Sequence, residues 1–260
     1  VMKYFRYDTH VRTIRLIAPD HYEVDVNVNL DEGSGLIPLR NVLSRHELIS
    51  QYPLLHASLV KLGGRGILIP GDSKQGKTTL AVYLLQEQGA EFVGDENIII
   101  DTSSEVLRGI YVPRTPRVRF MTIANCGLSQ AFTDISLANA TQYIDSDAIR
   151  RIIQAKKFDV DAGMAFSRTS FCNLLGTASR ESSQINTILF PIYSRGNGVV
   201  SRELGVDEGV KRLGDCGLAR KRDIDPRELE SVHVGFSRVN LLGVNFIEVA
   251  FSGLKSLISA

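Results

Sequence analysis

One stretch of eight residues constrains this chain more than any other. Gly71-Asp72-Ser73-Lys74-Gln75-Gly76-Lys77-Thr78 follows the apolar run "RGILIP" (65–70) and opens "KTTLAVYLLQEQ" (77–88). It satisfies G-x-x-x-x-G-K-[ST] at every fixed position. Gly71 and Gly76 permit the backbone angles that turn amides inward as an anion nest. A helix starting at Lys77 adds its positive end. The Lys77 ammonium reaches β and γ phosphates, and the Thr78 hydroxyl is a Mg²⁺ ligand type. Expected nucleotide contacts therefore run from Gly71 through Asp72, Ser73, Lys74, Gln75, Gly76, Lys77 and Thr78 to Thr79. A strand must enter this loop and a helix must leave it, so the chain is expected to be α/β.

The segments around the loop agree with that expectation. "TIRLIA" and "YEVDVNVNL" near the N-terminus alternate apolar and polar, as strands with one buried face do. "IPLRNVLSRHELISQY" (37–52) has near-helical apolar spacing. "LLHASLVKL" (54–62) and "RGILIP" read as strands joined by a tight turn at Gly63–Gly64. The helix over 77–88 stops at Gly89. "AEFVGDENIIID" (90–101) reads as strand, break and strand, and "EVLRGIYV" and "RVRFMTI" are expected to extend the sheet. "DSDAIRRIIQAKKF" (145–158) and "GVDEGVKRLGDCG" (205–217) read as helices, "QINTILFPIYS" (184–194) as a strand, and the C-terminal stretch as a strand followed by a short helix.

Composition removes several function classes. The net charge of +1 gives no global attraction to nucleic acid or to an acidic membrane. No apolar run nears the roughly 18 residues that span a bilayer, and no secretory h-region follows the charged N-terminus. The three cysteines, Cys126, Cys172 and Cys216, form no CxxC pair. Reduced thiols in a cytoplasmic protein are the expected state.

Soon after the loop comes the acidic pair Asp95–Glu96. Eighteen positions separate Lys77 from Asp95, enough for one helix, a turn and a strand. The pair is therefore expected to end the strand next to the loop strand, close to bound phosphates. Phosphoryl transfer to a hydroxyl needs a carboxylate for the acceptor's proton and acidic support for Mg²⁺. Asp101, after "III", resembles a metal-binding acid, but its strand is expected to run away from the site.

From His56 to Glu96 the chain resembles the catalytic domain of the HPr kinase/phosphorylase family. That family has a histidine-led strand, a strand into "GDSGxGKS", one helix, and then "ADD". The matching pieces are "LHASLVKLGGRGILIPGDSKQGKTT" and "VGDE", with His56 standing 15 positions before Gly71. The resemblance implies a P-loop kinase core of HPr-kinase C-terminal type with a mixed sheet (53–260), preceded by a small β-rich part (1–52). It implies ATP and Mg²⁺ as cofactors, Asp95 as the base toward a serine, Glu96 as a metal-associated acid, and His56 beside the base. It also implies a homo-oligomer.

Two features depart from that pattern. Glu96 replaces the family's second aspartate, and the "LExRGxG" stretch survives only as the fragment "EVLRGIYV". HPr as substrate and phosphorylase activity are therefore not expected. "YVPRTPRVRF" and "ILFPIYSRG" resemble segments of HPr-kinase-like proteins encoded with peptide-modifying enzymes, such as the kinases of lasso peptides.

Arg114, Arg117, Arg119 and Arg195 are candidate contacts for phosphate or a substrate carboxylate, whereas "ARKRD" (219–223) reads as a solvated charge run. No N/TKxD guanine-reading motif and no LSGGQ is present. The expected activity is ATP- and Mg²⁺-dependent transfer to a hydroxyl of a peptide or small protein, with catalytic Asp95, His56 and Lys77, and with Thr78 and Glu96 toward the metal. Two alternatives remain: a kinase for a small metabolite, and an ATP-gated binding or assembly module.

Overall fold

The structure, a computed structural model, describes residues 11–18, 21–26, 54–72, 74–103, 105–112, 116–126, 128, 163–166, 168–193, 199–216, 241 and 243–251. The helices expected over 37–52 and 145–158, the C-terminal helix, Ser73, Arg114, Arg195 and the 219–223 run lie outside them. The chain divides into two compact units, Val1–Ser50 and Gln51–Ala260. In the first, β1 (Val11–Ala18) and β2 (His21–Val26) pair antiparallel.

The second unit is α/β with a mixed sheet. Its described elements are β3 (Leu54–Leu55), β4 (Ala57–Leu62), β5 (Arg65–Pro70), α1 (Lys77–Glu87), β6 (Glu91–Gly94), β7 (Ile98–Asp101), β8 (Arg108–Tyr111), β9 (Arg117–Arg119), α2 (Phe120–Asn125), β10 (Gly163–Ala165), α3 (Arg168–Leu175), β11 (Ser182–Tyr193), β12 (Val199–Leu204), α4 (Val206–Asp215) and β13 (Asn245–Phe251). A nine-stranded sheet runs β3-β7-β8-β11-β5-β4-β6, with β13 joined to β11 and β12 to β13. β11 is parallel to β5 and β13 and antiparallel to β8. β4 is antiparallel to both β5 and β6.

Neighbouring residues of one strand face two different cores. Val60, Ile69 and Phe92 pack with α1, α2 and α3, while Leu59, Leu68 and Val93 pack on the other side with Ile98, Ile185, Leu213 of α4 and Phe246. A sheet covered on both faces needs apolar residues at successive positions, which accounts for the mostly apolar runs "LLHASLVKL" and "RGILIP". Phe92 meets Phe171 of α3 edge-on, with ring centroids 4.9 Å apart. Gly66 lets β5 and β11 approach, since a Cβ there would stand 2.1 Å from the Gln184 carbonyl oxygen.

Three expectations change. The strand that carries the acidic pair is not next to the loop strand: β4 lies between β5 and β6. Both neighbours run antiparallel to β4, so the C-terminal ends of β5 and β6 and the N-terminal end of β4 still share one edge. "LLHASLVKL" is two strands, because β3 pairs with β7 whereas β4 pairs with β5 and β6; the chain bends at His56 to change partners. "RVRFMTI" does not extend the large sheet: among the described residues β9 pairs with β10, and Phe120 begins α2. The hairpin turn is as expected, with φ of 55° at Gly63 and 86° at Gly64. Among the described residues no helix is long and apolar enough to cross a membrane.

Candidate functional site

The loop Gly71–Gly76 closes the C-terminal end of β5 and delivers the chain into α1. Its backbone turns through positive φ at Gly71 (153°), Lys74 (74°) and Gly76 (93°). Such angles suit glycine and strain a lysine. Gln75 braces the turn: its side-chain oxygen accepts the Asp72 amide at 2.9 Å. The Gly71 amide donates to the His56 carbonyl at 3.4 Å, tying the start of the loop to the bend between β3 and β4. Gly76 precedes α1, and no side chain caps that helix, which leaves its first amides to the loop or a ligand.

Lys77 is 6% exposed, and its ammonium donates to the Asp72 carbonyl at 2.8 Å, across the loop it closes. Burial lowers its pKa, while Asp95, Glu96 and Asp72 nearby oppose that. Thr79 follows a different path: its hydroxyl lies 3.4 Å from that of Thr122 on α2. Its hydroxyl is thus engaged by a neighbouring helix.

Asp95 follows β6 and is buried, at 4% exposure. Its Oδ1 accepts a hydrogen bond from the Ser58 hydroxyl of β4, and its Oδ2 accepts one from Thr78 at 3.3 Å. Burial raises its pKa, Glu96 raises it further, and Ser58 and Lys77 oppose the rise. Glu96 points elsewhere. Its Oε2 lies 3.5 Å from His56 Nε2, with side-chain exposures of 30% for Glu96 and 19% for His56. The described contacts therefore join Thr78 to Asp95 and His56 to Glu96.

Asp101 accepts the Ser103 amide at 2.9 Å and the Ser103 hydroxyl at 2.6 Å, so it shapes its own turn. Arg117 is exposed and Arg119 half-buried on β9, the strand that leads into α2 and Thr122. Asp72 and Lys74 are exposed at the loop surface.

Sequence reasoning missed two residues of the site. Ser58 is fully buried on β4; its signal was a hydroxyl inside an otherwise apolar strand, which must find a partner. Phe251, at the end of β13, lies under the loop: a Cβ on Gly76 would stand 2.7 Å from its Cζ. No local pattern announces a contact across so much chain.

The donor set suits Mg²⁺ that arrives with a nucleotide. Thr78 and Asp95 present a hydroxyl and a carboxylate side by side. Among the described residues no group of three His, Cys, Asp or Glu side chains stands ready to hold a metal alone. Mg²⁺ is ordinarily bound by one or two protein oxygens, with phosphates and waters completing the octahedron.

No protein-family model matches this chain, and no curated protein matches it. Among solved structures it is similar to the Hpr(Ser) kinase/phosphatase from Coxiella burnetii, with a TM-score of 0.31 and 14% sequence identity over 76% of this chain and 84% of that one.

Proposed function

We propose that this chain is an ATP- and Mg²⁺-dependent phosphotransferase of the P-loop kinase type, acting on a hydroxyl, that of a serine in a peptide or small protein. One observation carries the reading: Lys77, Thr78 and Asp95 gather at the mouth of the loop, with the His56–Glu96 pair more open beside them. A module that only senses nucleotide needs the first group; the second adds an acid–imidazole pair reachable by an acceptor.

When bound, ATP supplies the phosphoryl group and Mg²⁺ offsets charge on its β and γ oxygens. The loop amides and Lys77 hold those oxygens, and Thr78 and an acid of the Asp95–Glu96 pair support the metal. The other acid accepts the acceptor's proton as its oxygen bonds to the γ phosphorus and the bond to the β–γ bridging oxygen breaks, leaving ADP. His56 orients that acid. Positioning and charge compensation supply most of the acceleration in such transfers.

The test is incubation of the protein with ATP labelled in the γ-phosphate, Mg²⁺, a serine-containing peptide library and a metabolite panel. The expected result is label on a peptide serine and none with Lys77→Ala. Label on a metabolite instead would move the acceptor class, and ADP formation without label on any acceptor would overturn the kinase reading.

A further inference from the structure

We propose that the acidic pair divides its work in the order opposite to that implied by the family resemblance: Asp95 serves the metal side, and Glu96, oriented by His56, is the group that meets the acceptor hydroxyl. This rests on the phosphotransferase reading above and deepens it. Ser58 then acts as a positioning residue for Asp95.

Three observations carry the assignment. First, Asp95 is closed to an acceptor. It is 4% exposed, and both of its carboxylate oxygens already hold hydroxyls, those of Ser58 and Thr78. A base must come within hydrogen-bond reach of the proton it takes. The hydroxyl that Asp95 touches is instead the loop threonine, the side chain that a P-loop turns to Mg²⁺. Second, Glu96 is open where Asp95 is closed. Its side chain is 30% exposed and its Oε2 stands 3.5 Å from His56 Nε2.

Third, the backbone separates the two side chains at a conformational cost. The Asn97 amide donates to the Asp95 carbonyl at 2.9 Å, and the residue between them, Glu96, has φ of 71°. An i to i+2 bond around a positive-φ centre is the rarer, strained form of γ-turn. A non-glycine residue held there by its surroundings is the kind of outlier found at functional sites. The turn sends consecutive carboxylates in different directions, one inward to Thr78 and one to His56.

Ser58 explains why Asp95 stays inward. It is fully buried on β4, the strand between the loop strand and the acidic strand, and its hydroxyl pins Oδ1. That leaves Oδ2 to face Thr78.

The deciding measurement is Mn²⁺ affinity, followed by electron paramagnetic resonance, with a non-hydrolysable ATP analogue present. Asp95→Asn and Glu96→Gln are compared with the parent, and folding is checked by circular dichroism. Asp95→Asn is expected to weaken Mn²⁺ binding at least about 10-fold, and Glu96→Gln to leave it within about 2-fold of the parent. Glu96→Gln should nonetheless lower the rate of ADP formation by about 10²-fold or more, as loss of a general base does.

Ser58→Ala gives a second reading should Asp95→Asn fold poorly. Loosening Asp95 should weaken Mn²⁺ binding several-fold, an effect that a packing role alone would not produce. Equal losses in Asp95→Asn and Glu96→Gln, a loss in Glu96→Gln alone, or no loss in either would each overturn the division. Failure of the parent itself to bind the Mn²⁺–nucleotide pair would instead sink the phosphotransferase reading.

Discussion

The ring of Phe251 lies directly beneath Gly76, so close that a β-carbon on the glycine would stand 2.7 Å from Cζ and 3.4 Å from Cε2. Phe251 is fully buried at the end of β13, and the contact joins that strand to the Gly71–Gly76 loop. Gly76 also needs its φ of 93°, which a side chain resists. Gly76→Ala therefore meets both a collision and a strained backbone. It is expected to cost about 1–3 kcal/mol of stability and to weaken binding of a fluorescent ATP analogue at least about 10-fold. Adding Phe251→Leu should recover part of the stability but little of the binding, because the φ penalty persists. Full recovery of binding in the double variant would show that the collision alone matters.

The buried carboxyl of Asp95 sets a pH dependence whose sign follows from its environment. Burial and Glu96 together outweigh Ser58 and Lys77 and raise its pKa above the ordinary 3.8. The native state then holds this proton more tightly than the unfolded chain does. The contribution of the group is favourable below 3.8, and it is lost as pH rises through the raised native value. Above that raised value the ionised Asp95 is a cost to stability. Asp95→Asn keeps a group that accepts from Ser58 and removes the charge. The nucleotide-free variant is expected to melt about 2–4 °C above the parent at pH 8, with a smaller gain near pH 5. Thermal melts at the two pH values decide it; a lower melting point at pH 8 would mean that the charge is not a net burden.

What the sequence disclosed and what it withheld follow from the range of the forces involved. The loop, the turn at Gly63–Gly64, the stop of α1 at Gly89 and the break at Asp95–Glu96 are local matters of backbone freedom and apolar period, and they are where the sequence placed them. The insertion of β4 between β5 and β6, the bend at His56 and the pairing of β9 with β10 depend on partners far along the chain. "RVRFMTI" looked like one strand because its alternation runs past the point where Phe120, Thr122 and Ile123 turn inward from α2. In the site, the loop residues and the acids were readable by type and spacing. Ser58 showed only as a hydroxyl within an apolar strand, and Phe251 not at all, since their partners appear only once β4 meets β6 and β13 reaches the loop.

Strain at Glu96 should be measurable apart from function. Its φ of 71° costs an ordinary L-residue about 1–2 kcal/mol, whereas glycine adopts it freely and loses about 0.5–1 kcal/mol of chain entropy in exchange. Glu96→Gly is therefore expected to be as stable as the parent or more so, by up to about 1.5 kcal/mol, as read by denaturant unfolding. Loss of more than that amount would place a stabilising interaction, not strain, at this position. Glu96→Gly also deletes the partner of His56, so it should lose turnover while gaining or keeping stability.

The three thiols provide a check on the packing around α2 and α3. Cys126 closes α2 and is buried, which pushes its pKa up to about 12. Cys172 lies within α3, and burial raises its pKa too, against the pull of Arg168. Only the thiolate attacks a disulfide reagent, so both should react slowly at pH 8. Cys216, just after α4, is half-buried and should react first. Labelling the native protein with an aromatic disulfide is expected to show one fast thiol and two slow ones, with all three released in denaturant. Mapping the fast thiol by peptide mass identifies it; if Cys126 labelled as quickly as Cys216, the core beneath α1 and α2 would have to be looser than described.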